Sequence, residues 1–136
     1  MRRYKFLKED QVYNVLNKLR NAFLSARNGT EVDEIINSLL THDEKMKLGR
    51  RIIIAQYLLA GFGIDEIIRE LKVGKNTVMH ISRRVEKYGN GFLLIEKRGE
   101  KVEKDYLNNK YRNSGGSKQI IKTKVHSGIK RRDIER

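Results

Sequence analysis

Lys75-Asn76-Thr77, then Met79, His80, Arg83, Arg84 and Lys87, put amide, hydroxyl, imidazole and cationic groups on successive turns of one predicted helix, 75–88. Asn can pair bidentately with adenine, Lys can reach guanine, and Thr can touch a thymine methyl or a phosphate. Arg83, Arg84 and Lys87 lie further along and suit backbone phosphates, which position a protein without reading sequence. Backbone N–H groups at 74–77 open the helix and add an anion site of their own. Together these groups are equipped for the major groove of a nucleic-acid duplex.

Such groups read a groove only if something holds their helix away from the body of the protein. The preceding residues, from Gly63-Ile64-Asp65-Glu66 onward, supply a short helix at 64–72 with Ile67, Ile68 and Leu71 on its inner face. Val73 plugs the turn, and Gly74 is expected to allow the change of direction. Val78, Ile81 and Val85 form the inner face of the second helix. Two short helices locked at a steep angle by this apolar set make a helix-turn-helix at 63–88, with the N-terminal half of the second helix free to enter a groove. An ordinary helical hairpin with a solvated basic face would use the same pattern, so the charge balance of the whole chain bears on the choice.

That balance is strongly basic. Lys and Arg outnumber Asp and Glu by 30 to 17 in 136 residues, a formal charge of +13 and a pI near 10.1. It favours a polyanionic partner. There is no cysteine, so neither disulfides nor thiolate metal sites arise, which fits a reducing cytoplasm. No apolar run of signal-peptide or membrane-spanning length is present. His42, His80 and His126 are scattered, not at metal-ligand spacing. No Ser–His–acid set and no phosphate-cradling glycine loop is visible, so neither an enzyme nor a cofactor is expected. Three classes remain from the residues alone: a sequence-specific double-stranded DNA-binding transcription regulator, a charge-driven RNA-binding or nucleoid-associated protein, and a partner-binding module in which the helical pair packs on protein.

Proline is absent and alternating β-branched runs are few, so an all-α chain is expected. Val12, Val15, Leu16, Leu19 and Phe23 mark one face of a helix within 7–27, and Asn28-Gly29 is the expected stop. Thr30 with Asp33, and Thr41 with Glu44, read as capping boxes opening helices at about 30–40 and 42–60, the latter ended by Gly61. The 42–60 helix is apolar nearly all round. Leu48, Ile52, Ala55 and Leu59 make one stripe, and Ile53, Ile54, Tyr57 and Leu58 cover much of the rest. A homodimer with helices packed across the subunit boundary would bury it. Gly89-Asn90-Gly91 is expected to break the chain before a further helix at 92–112. Residues 113–136 read as a disordered basic tail: from Lys110 to Arg136 there are nine Lys or Arg against two acids.

The sequence resembles the tryptophan-repressor superfamily, most of all its repressor-related YerC/YecD type, which lacks a known ligand. The residues that carry the resemblance are Leu39-Leu40-Thr41-His42-Asp43-Glu44, Leu48-Gly49-Arg50-Arg51, Tyr57-Leu58-Leu59-Ala60-Gly61, the helix-turn-helix itself, and Val85-Glu86-Lys87-Tyr88-Gly89. It covers about residues 10–92 and implies an intertwined, all-helical homodimer presenting two reading heads to a two-fold symmetric operator. It further implies that Thr41 and Arg51 match positions that contact tryptophan in the ligand-binding members. The other half of that pocket needs an arginine and a glycine where this chain has His80 and Ile81. A tryptophan corepressor is therefore not expected.

Overall fold

The computed structural model describes residues 3–114, with side chains as far as residue 108. Five helices follow one another: α1 (Glu9–Leu24), α2 (Gly29–Leu39), α3 (His42–Leu59), α4 (Ile64–Leu71) and α5 (Lys75–Ser114). No strand occurs among the described residues, so the fold is all-α. None of their helices is long and apolar enough to cross a membrane. The basic tail expected at 113–136 lies, from residue 115 on, outside the described residues. The chain divides into two compact units, residues 1–47 and 48–136.

In the first unit α1 packs on α2. Neither helix has a buried residue. The apolar face of α1 forms where its periodicity places it, yet Val15, Leu16, Leu19 and Phe23 remain 43–60% exposed. The punctuation between the two helices differs from expectation. α1 ends at Leu24, and Asn28 does not stop it. Asn28 instead sits in extended backbone as the N-cap of α2, its Oδ1 accepting from the Glu31 amide at 2.9 Å. Glu31 Oε2 in turn accepts from the Arg27 amide at 2.7 Å. The cap that forms is thus Asn28/Glu31, two residues ahead of the expected Thr30/Asp33. Asparagine is the stronger capping residue, because its short amide oxygen reaches an orphan first-turn N–H. The Thr41/Glu44 box forms as expected. The Thr41 amide donates to Glu44 Oε2 at 2.8 Å, and the Glu44 amide donates to Thr41 Oγ1 at 3.3 Å.

The second unit holds the buried core of the described residues: Ile54, Ala55 and Tyr57 of α3, Phe62, Ile67 of α4, and Val78 and Ile81 of α5. α3 is stopped by Gly61, as expected, at φ 84°. Phe62 N–H donates to Tyr57 O and Gly61 N–H to Leu58 O, each at 3.0 Å. These are the two bonds of a Schellman end. Its apolar clasp is the Tyr57–Phe62 pair, an edge contact with ring centroids 4.6 Å apart. Of the apolar residues that cover most of α3, Ile54, Ala55 and Tyr57 face the core of their own chain. Leu48 and Leu59 keep 40% and 36% of their surface exposed, and Ile53 keeps 41%.

Candidate nucleic-acid interface

α4 and α5 pack against each other through Ile67, Val78 and Ile81, all 2% exposed or less. Ile64, Ile68, Leu71, Val73 and Val85 are partly buried around them. The apolar residues that the sequence places between the two helices thus meet. Complete burial of an Ile or Val side chain stabilises by about 1.5–3 kcal/mol, so this small cluster fixes the angle of α5 on α4.

The turn between them is made differently from expectation. Gly74 has no positive φ. It accepts the first helical bond of α5, Val78 N–H to Gly74 O at 3.3 Å, and a Cβ there would meet nothing within 4 Å. The left-handed residue is Lys72, at φ 53°, ψ 50°, where it caps α4. Adjacent to that strained position, Arg50 of α3 donates from Nη2 to Leu71 O at 2.8 Å and reaches Lys72 O at 3.5 Å. A guanidinium at a helix C-terminus satisfies orphan carbonyls and meets the negative end of the helix dipole. Sequence reading missed this clamp: Arg50 and Leu71 are 21 residues apart, and no local spacing signals the contact.

Beyond the turn, Lys75, Asn76, Thr77, His80, Arg83, Arg84 and Lys87 are all exposed on α5, and Met79 is half-buried. Met79 therefore lies at the edge of the outward set, beside the buried Val78. The exposed groups share one helix and are brought together by it. α1 to α4 each carry an acid in the first turn, where the dipole favours one, whereas α5 begins with Lys75 and has none. No acid of its own first turn offsets its positive end. Further along, the Tyr88 ring lies 5.2 Å from the Arg84 guanidinium and 5.3 Å from the Lys87 ammonium. Both distances suit cation–π attraction, which restrains two of the cations.

Tyr88 is also where α5 bends. Its φ −123°, ψ 32° leave the helical region, while hydrogen bonding continues on both sides. The expected break at Gly89-Asn90-Gly91 thus falls one residue earlier, as a kink at Tyr88, and the helical segment beyond it contains the further helix expected at 92–112. Arg51 is half-buried in the second unit. Thr41, in the first unit, has its hydroxyl 3.0 Å from Glu44 Oε2 and serves as a helix cap. Among the described residues, no group of three His, Cys, Asp or Glu side chains could hold a metal ion.

Comparison with protein-family models, with curated proteins and with solved structures gives no match to this chain.

Proposed function

We propose that this chain is a sequence-specific double-stranded DNA-binding protein of the cytoplasm, a transcription regulator that represses by occupying its operator as a homodimer. The observation that carries the reading is the first half of α5. Lys75, Asn76 and Thr77 stand exposed on its leading turn, while Val78 and Ile81 on the opposite face are buried against α4. A rod braced on one side and polar on the other is what major-groove entry requires. Asn76 and Lys75 are the base-reading candidates; Arg83, Arg84 and Lys87 are the phosphate contacts. The acid-free first turn of α5 and the +13 charge add to the attraction for phosphate. The resemblance of residues 10–92 to the tryptophan-repressor superfamily agrees with this reading.

Dimerisation rests on surface left open in a single chain. Half-exposed Val15, Leu16, Leu19 and Phe23 line one face of α1, and Leu48, Ile53 and Leu59 stand out from α3. Exposed apolar surface of this kind, on each unit, marks an interaction site.

Selection of bound duplexes from random DNA tests the proposal directly. A palindromic consensus, bound at about 10⁻⁸ M or tighter at physiological salt, is the expected result. Weak, sequence-blind binding that salt removes, or preference for structured RNA in competition, sinks it and leaves the charge-driven reading.

A further inference from the structure

We propose that α5 beyond its kink zips in parallel, in register, with the same segment of a second copy of this chain. The inference rests on the homodimer proposed above and gives that dimer an interface outside the core. Phe92, Ile95, Gly99, Val102 and Tyr106 recur at spacings of 3, 4, 3 and 4 residues, the a/d pattern of a two-stranded coiled coil. Phe92 packs on the core of its own unit. The stripe then runs on unpartnered: Ile95 is 40%, Val102 65% and Tyr106 59% exposed.

Two further features favour a second copy, in parallel, as the occupant. With Phe92, Gly99 and Tyr106 at a, Arg98 falls at g and Glu103 at the next e, the positions that meet between parallel chains with opposite charge. Both side chains are exposed. Gly99 weakens the helix that contains it, and a Cβ there would meet nothing within 4 Å in its own chain. A parallel zipper also has its two-fold axis along the paired helices, so it presents two copies of Lys75–Lys87 symmetrically, as a palindrome demands.

The absence of cysteine makes the test direct, because each introduced thiol is the only one. Ile95→Cys and Val102→Cys, made separately in the full chain, should each form a disulfide-linked dimer on mild oxidation; Lys104→Cys, off the stripe, should not. Gly99→Ile should fill the vacant a position and tighten the dimer by roughly tenfold in sedimentation equilibrium. Arg98→Glu should weaken it by roughly threefold, and adding Glu103→Arg should restore it. If the wild-type chain sediments as a dimer but the stripe thiols couple no faster than Lys104→Cys, the zipper is overturned and the homodimer stands. If coupling needs Ile95→Cys mixed with Val102→Cys, the helices run antiparallel and the proposal fails in that form. A monomeric wild type overturns the zipper and the homodimer together. Circular dichroism of each variant confirms that helix content is unchanged.

Discussion

Asn76 and Arg84 sit two turns apart on one exposed helix, yet they are expected to fail differently when truncated. A side chain that pairs with a base edge carries discrimination of about 1–3 kcal/mol, while one that contacts phosphate carries none. Asn76→Ala should therefore flatten the preference at one or two base positions. Arg84→Ala should weaken binding to all duplexes alike and lower the slope of log K against log salt by about one. Equal losses of preference from both would remove the division of roles. Lys72 and Arg50 offer a separate test of the turn. Lys72 occupies left-handed backbone that disfavours any residue with a Cβ by about 1–2 kcal/mol, so Lys72→Gly should raise the melting temperature. Arg50→Met keeps the aliphatic stem but leaves Leu71 O without its donor, a loss of about 1 kcal/mol. Thermal unfolding reads both; a destabilised Lys72→Gly variant would contradict the strain assigned to that position.

Among the elements, the acid and alkaline limbs of stability have separate origins. The Thr41 amide, then the Thr41 hydroxyl, hold the Glu44 carboxyl below its ordinary value of 4.5, with Lys47 adding to the effect. A depressed carboxylate contributes stability that is present above the unfolded value and lost as pH falls through the folded one. The start of α3 should accordingly weaken below about pH 4.5, and Glu44→Gln should remove that part of the pH dependence. Burial, then the charge of Glu70, pushes the Tyr57 hydroxyl above its ordinary 10.0. A raised value gives the opposite sign: stability is intact below pH 10 and lost as pH climbs through the folded value. Tyr57→Phe should flatten the alkaline limb in pH-dependent urea unfolding; an unchanged alkaline limb would show that Tyr57 does not titrate with unfolding. These elements also show what was legible in the sequence. The helices, the Gly61 stop and the Thr41 box follow from spacing within a few residues. So does the apolar set joining α4 to α5, because each helix presents it at its own period. The position of the turn strain did not follow, since glycine at 74 is the better left-handed residue and only the path of the chain puts Lys72 there. The Asn28 cap was obscured by a neighbouring Thr30/Asp33 pair with the same spacing. Which stripe of α3 faces its own core was equally hidden, because a helix apolar on most sides does not say which side is covered first.

At the scale of the whole molecule, the prediction turns on surface that one copy leaves open. On an isolated chain, Leu16→Glu replaces a 60%-exposed side chain and should shift stability by no more than about 0.5 kcal/mol. In a dimer that covers α1, the same change places a carboxylate in an apolar interface and should dissociate it, with a fall in melting temperature that depends on protein concentration. Analytical sedimentation and a concentration series of melting curves check this. A neutral Leu16→Glu would mean that α1 faces water in the working protein.

The fully buried side chains of the second unit are few, and Ile67, Val78 and Ile81 among them are also the ones that aim α5. Among the described residues, no second buried cluster stands behind α5. Warming that loosens those three residues should therefore swing α5 early in unfolding. The same holds for a mutation such as Ile67→Ala, which should remove about 2–5 kcal/mol. On the proposed DNA-binding reading, target occupancy is then a thermometer: the grip on an operator should slacken below the temperature at which helicity is lost.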